Sequence, residues 1–215
     1  MRILGIDQSL TGCAFCLLEN AEIKVLETID TEGLLGMERV GVIVRGFQRF
    51  LDLKSVQLYP DIIAMEDYAY GASTNNITKL AELGGIIKHN AFLAGFKESR
   101  EAILAGKNAF HMQTQGAMKK FCLGNGAMKK DSRYLLEVFE RIKKSFKDDN
   151  QADAYMHAWM ASIVVAVVQG KVQISDLPTH QQEALISSGA KRQKGLSMLK
   201  AIKLPEEEKR RLAGY

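Results

Sequence analysis

The chain has 215 residues, 47% of them hydrophobic, 25% charged and 7% aromatic, with a formal net charge of +4. These proportions describe one generous globular domain, long enough to bury a core without disulfide or metal staples. No apolar run approaches the roughly eighteen residues of a membrane span, and an acid at position 7 breaks any signal-peptide pattern. Three cysteines do not make a disulfide framework. A membrane protein, a collagenous chain and a secreted disulfide knot are excluded, and a reducing, cytoplasmic compartment is expected.

Charge is unevenly distributed. Residues 97–147 carry twelve Lys/Arg against five Asp/Glu, a local +7, and residues 190–215 carry eight against three, a local +5. The remainder is therefore acidic. Such separation favours a polyanionic partner held by part of the surface, the plainer alternative being chance clustering of lysines on solvated helices.

In chain order, residues 2–8 read as a buried strand, since Ile3, Leu4 and Ile6 are too densely apolar for an edge. Turns at 10–12 and 20–21 separate it from two further strands at 13–18 and 23–29, making an antiparallel meander. Residues 37–53 show helical spacing in Val40, Ile43, Val44, Phe47 and Leu51. Pro60 breaks the chain before another buried strand at 61–66. A second amphipathic helix is predicted over 76–92, a short fifth strand over 109–113, and a helix over 131–146 with Leu135, Val138, Phe139 and Ile142 inward. Residues 151–168 form the most apolar helix. From Gly170 the chain has few large apolar residues and many charges, and reads as a loosely packed, basic C-terminal extension. The expected organisation is an α/β domain over 1–169 followed by the extension over 170–215.

Three acids stand out against this background. Asp7 closes the first strand, Glu66 closes the strand Ile62-Ile63-Ala64-Met65, and Asp153 opens the apolar helix after Asp148-Asp149-Asn150. A carboxylate at the end of a buried strand is costly unless something offsets its desolvation. Two such strands and an acidic helix start can converge on divalent cations. Mg²⁺ takes few carboxylates and keeps several waters, and two ions about 4 Å apart can activate a water and stabilise a leaving oxygen in phosphodiester cleavage. Each acid taken singly has a plainer reading as a turn or helix cap.

The opening Ile3-Leu4-Gly5-Ile6-Asp7 with Ser9, Thr11 and Gly12 resembles that of RuvC-type Holliday junction resolvases. So do Ile63-Ala64-Met65-Glu66 with the loop after it, and Lys79-Leu80-Ala81-Glu82-Leu83-Gly84. The stretch from Lys119 to Lys130 is similar to the family's basic loop, and Asp149-Asn150-Gln151-Ala152-Asp153-Ala154 to the acidic opening of its last helix. These motifs run in the family's order over about residues 1–168, and their flavour is nearer to phage-encoded members than to the cellular enzyme.

The resemblance implies an RNase H-like fold: a mixed five-stranded sheet flanked by helices. It also implies a homodimer, sought at the helix over 76–92, and a crossover junction endodeoxyribonuclease. Such an enzyme resolves four-way (Holliday) junctions by paired symmetric nicks with Mg²⁺, for which Mn²⁺ substitutes. The setting is the cytoplasm of a bacterial or phage-infected cell, in DNA recombination and repair. Carried over by position, Asp7, Glu66 and Asp153 become metal ligands. The family's fourth carboxylate falls at Asn150, so Asp149 is the substitute, because positions four apart share a helix face; Asp148 also stays open. Lys119 and Lys130 match lysines used near the scissile phosphate, with Lys120 and Lys129 contacting backbone further out. Tyr68 and Tyr70 lie where the family places an aromatic that stacks at the junction centre, with a core-edge role as the alternative.

Other signals lead elsewhere or nowhere. Cys13 and Cys16 have half a zinc knuckle's spacing, but residues three apart on a strand face opposite ways. His157, four residues after Asp153, reads first as a structural histidine. Trp159 and the methionine-rich helix face read as core. Gly124-Asn125-Gly126 lacks a Walker lysine and reads as a flexible basic loop. The opening motif also resembles the first phosphate loop of actin-like and sugar-kinase ATPases, whose duplicated halves do not fit in 215 residues. Two rivals keep the fold: a broader fork or flap debranching nuclease, and a junction-binding module with weak catalysis. Fold does not choose among them.

Overall fold

Near-continuous apolar runs in the central strands bury both faces of the sheet. The computed structural model describes residues 1–52, 57–67 and 74–187. Strands β1 (Arg2–Asp7), β2 (Gly12–Glu19) and β3 (Glu22–Asp30) form the expected antiparallel meander. Its tight β2–β3 turn holds Asn20 and Ala21 at φ 51° and 69°, the left-handed pair a two-residue hairpin requires. Strands β4 (Ile62–Glu66) and β5 (Ala109–Gln113) add parallel to β1, giving the order β3-β2-β1-β4-β5.

On one face Leu4, Ile6, Phe15, Ile63 and Phe110 pack under helices α1 (Gly36–Leu51) and α2 (Thr74–Leu93). Phe15 stacks on Phe47 of α1 at 6.3 Å and leans on Phe50 at 5.5 Å. On the other face Ile3, Cys16, Ile62, Ala64 and Ala109 meet α6 (Asp149–Val168), whose first turns are buried all round. Cys13 and Cys16 indeed belong to opposite faces. No described helix is long and apolar enough to cross a membrane.

Four short elements complete the α6 layer: α3 (Arg100–Ala105), α4 (Gln115–Leu123), α5 (Tyr134–Ile142) and α7 (Thr179–Ser187). The helix expected over 131–146 shrinks to α5, because Lys143 turns left-handed at φ 59° and closes it, and Phe139 is 46% exposed rather than inward. The basic stretch read as a loop is helical through Leu123. Thr114 caps α4 by accepting from the Ala117 N–H at 3.3 Å, and Gly124 ends it at φ 74°. The segment from Gly170 is not loose over its described part. Ile174, Ala184 and Leu185 are buried, and α7 packs on α4. The basic end of the chain, residues 188–215, lies outside the described residues.

Candidate active site

Strand parity decides which side chains meet. Ile3, Gly5 and Asp7 share a face of β1 with Ile62, Ala64 and Glu66 of β4 and with Ala109, His111 and Gln113 of β5. Ile6 pairs with Met65, so Asp7 and Glu66 leave the sheet side by side at the carboxyl ends of neighbouring parallel strands. Helix α6 lies across this face at backbone contact. A Cβ placed on Gly5 would stand 2.0 Å from the Ala154 carbonyl oxygen and 2.9 Å from the Ala158 Cβ. Only glycine beneath two alanines permits that approach, and it carries Asp153 over the strand ends.

Asp153 is fully buried, and its carboxylate takes three donors. Oδ1 accepts a short hydrogen bond from the Tyr134 hydroxyl. Oδ2 accepts from Gln115 Nε2 at 3.1 Å and pairs with Lys130 Nζ at 2.8 Å. The same ammonium stands 3.3 Å from Asp149 Oδ2 and 3.7 Å from Asp7 Oδ2. Three of the four acids named from sequence thus surround one cationic group. Glu66 joins them electrostatically. Burial, and then the charge of Asp153, push its carboxyl up to about 7. Burial likewise raises Asp7 well above the usual carboxylate range, against the pull of Lys130. Burial alone would lower the Lys130 ammonium, but Asp7 and Asp153 raise it overall.

The neighbours of Asp149 have other occupations. Asp148 is the N-cap of α6, accepting from the Gln151 N–H at 2.7 Å and from Thr28 Oγ1 at 2.9 Å. The Asn150 side chain lies against Gly12, where a Cβ would meet its Nδ2 at 2.8 Å. Among the lysines, Lys119 is buried: its ammonium donates to the Met128 carbonyl at 2.8 Å and sits 5.0 Å over the Tyr134 ring. Lys120 points away and pairs with Glu183 of α7 at 2.8 Å. Lys129 is exposed on the rim of a cleft of about 400 Å³ that Arg133 and Arg141 also line. Tyr68 and Tyr70 lie outside the described residues.

Sequence reasoning missed Tyr134, Gln115 and Gln113. Tyr134 and Gln115 hold Asp153. Gln113, opposite Glu66 on β5, accepts through Oε1 from the His157 Nδ1–H at 2.9 Å and donates through Nε2 to the His157 carbonyl at 3.2 Å. That clamp ties the end of the sheet to α6, and burial lowers the His157 imidazole to about 4, keeping it neutral. The available signal was parity for Gln113, two residues from His111 on a strand; for Tyr134 there was none short of the three-dimensional fold.

An all-oxygen set of carboxylates at strand ends is the chemistry hard divalent cations take. Among the described residues, no three His, Cys, Asp or Glu side chains are gathered tightly enough to hold an ion as they stand. The Lys130 ammonium lies among three of the carboxylates.

The sheet order, the parallel β4–β5 addition and the acids facing α6 define an RNase H-like α/β protein of the RuvC fold. No family model matches the chain. Crossover junction endodeoxyribonuclease RuvC of Mycobacterium sp. (strain KMS) is 22% identical over 203 residues, which cover 88% of this chain and 100% of that one. RuvC of Mycobacterium tuberculosis (strain ATCC 25177 / H37Ra) is 21% identical over 198 residues, 87% and 97% of the two chains. Thermus thermophilus RuvC superposes with a TM-score of 0.54 at 20% identity, covering 79% of this chain and 97% of that one. Its complex with Holliday junction substrate gives 0.56 at 20% identity, covering 79% and 96%. The chain is therefore RuvC-like in sequence and in fold, as its motifs indicate.

Proposed function

We propose that the protein is a divalent-cation-dependent endonuclease that resolves four-way DNA junctions by paired symmetric nicks, acting in the cytoplasm. The observation that carries this reading is the convergence of Asp7, Asp149 and Asp153 on one cationic group, 2.8–3.7 Å away, at the carboxyl ends of two central strands. In this reading Asp7, Glu66 and Asp153 would hold the divalent cations, with Asp149 supplementing them. Bound ions supply the electrophile that polarises the phosphodiester and activates water. Tyr134 and Gln115 keep the Asp153 oxygens aimed, and the Gln113–His157 clamp fixes the spacing between Glu66 and Asp153. Lys119 and Lys130 offset charge developing on the phosphate. Lys129, Arg133 and Arg141 line a cleft that would take DNA backbone, where contacts position without reading sequence.

Paired nicks need two sites related by two-fold symmetry. The far end of α2 exposes Phe92 (67%) and Leu93 (70%) beside Phe96 and Phe110, and this apolar end supports an isologous dimer. The test is cleavage of labelled four-way junction, fork and linear duplex in Mg²⁺ and in Mn²⁺. Symmetric nicks confined to the junction support the proposal. Equal cutting of forks would make the protein a broader debranching nuclease, and tight junction binding without cutting would make it a binding module.

A further inference from the structure

Metal-dependent sites built from clustered carboxylates face a problem when empty: several buried negative charges repel one another at close range. This chain meets it from within. Lys130 leaves the segment between Gly124 and α5 and pushes its ammonium among Asp7, Asp149 and Asp153, its side chain only 28% exposed. The segment is held down at a second point, because Lys119 of α4 donates to the Met128 carbonyl two residues earlier. Asp153, by contrast, is gripped by groups that do not belong to this segment's tip. The Tyr134 hydroxyl comes from the start of α5 and the Gln115 amide from the start of α4, one donor to each carboxylate oxygen. An ammonium and a divalent cation seek the same oxygens, and their like charges repel each other there.

We propose that Lys130 is the resident counter-cation of the metal-free site, exchanging with the incoming divalent cation, and that Tyr134 is the positioning residue that keeps Asp153 in place through the exchange. The proposal rests on the metal-dependent reading above and adds to it a coupling. Loading the metal would release the Lys130 ammonium from the carboxylates, loosen the stretch from Lys129 to Asp131 beyond the Lys119–Met128 tie, and turn a positive charge towards the DNA phosphates as the site becomes competent. Metal and Lys130 are therefore competitors, whereas metal and Tyr134 are allies, and the two side chains must shift metal affinity in opposite directions.

The experiment is calorimetric titration of the full chain with Mn²⁺, without DNA, for wild type, Lys130→Met and Tyr134→Phe. Lys130→Met should bind Mn²⁺ roughly tenfold more tightly, having lost its competitor, while its metal-free melting temperature falls because the acids are left uncompensated. Tyr134→Phe keeps the buried ring and removes only the hydroxyl, and should bind Mn²⁺ about tenfold more weakly. A purely structural tyrosine would lower melting temperature and leave metal affinity where it was, which would overturn its part. Affinity unchanged or weakened in Lys130→Met would overturn the exchange. Should Lys130→Met fail to fold, wild type decides: Ca²⁺ should make the bond after Lys130 more susceptible to trypsin, and equal cleavage with and without Ca²⁺ would refute ejection. A wild type that binds Mn²⁺ and cuts junctions while Lys130→Met binds Mn²⁺ no more tightly refutes the exchange alone. One that neither binds Mn²⁺ nor cuts refutes the functional reading with it.

Discussion

The two faces of β1 and β4 can be compared residue by residue, because they are the same strands. Towards α1 and α2 the side chains are Leu4, Ile6, Ile63 and Met65, apolar to the ends of the strands and fully buried. Towards α6 the series begins in the same way, with Ile3, Ile62 and Ala64, but closes on Asp7 and Glu66. One face stabilises the sheet at the usual rate for buried hydrocarbon. The other holds charges that water would solvate better, and both strand-end carboxyls are pushed upward by burial. Stability and chemistry are separated by parity alone, one residue apart along the chain, so substitutions can address either face without the other.

The largest expected effect is on the acidic face. Glu66→Gln should lower junction cleavage on the order of 10³-fold, the loss of several kcal/mol of metal-derived stabilisation, while the melting temperature holds. Single-turnover kinetics beside thermal denaturation checks this. Next comes the apolar face. Phe47→Ala removes the ring stacked on Phe15 and should cost about 3 kcal/mol of stability in urea titration, with the folded fraction cutting normally. Gly5→Ala sharpens the comparison because it strikes the seam between the layers. Its methyl meets the Ala154 carbonyl, so about 1–3 kcal/mol of stability and the alignment of Asp153 with Asp7 should fall together.

A pH titration separates the faces more gently. Glu66 has a folded pKa of about 7 against an ordinary 4.5, so the stability it contributes is full in acid and is lost as pH rises through about 7. Metal-free melting temperature should decline over that window, apparent Mn²⁺ affinity should rise over it, and Glu66→Gln should flatten both curves. The smallest effect is local. Thr114→Ala removes the α4 cap and should cost about 1 kcal/mol, readable by chemical denaturation.

How far the molecule was legible follows from which interactions are local. The strands and α6 could be read because they are dense apolar runs, and α1 and α2 because their apolar residues recur at helical spacing; the acids at the ends of β1 and β4 stood out against those runs. The short helices α3, α4 and α7 escaped. Their stability comes from docking on α6 and on one another, and only caps such as Thr114 and Gly124 mark them locally. The fourth acid could not be settled from spacing, since Asp148, Asp149 and Asn150 are adjacent. Only the helix start shows Asp148 spent on capping and Asn150 turned against Gly12, with Asp149 left beside Lys130. Tyr134 was invisible for a different reason: nineteen residues from Asp153, it reaches it only because α5 folds back over α6. Lys130 was read as a phosphate ligand, and its place among the carboxylates is a property of the folded site alone.

If chemistry belongs to one face of β1 and stability to the other, a paired measurement separates them: cleavage of a labelled four-way junction in Mg²⁺ and the metal-free melting temperature, for Asp7→Asn beside Ile6→Ala. Asp7→Asn should abolish the symmetric nicks with the melting temperature held or raised, because a buried charge is removed. Ile6→Ala should lower the melting temperature and leave cleavage by folded protein intact. Normal nicking by Asp7→Asn, or loss of cleavage and stability together in both variants, would contradict that division.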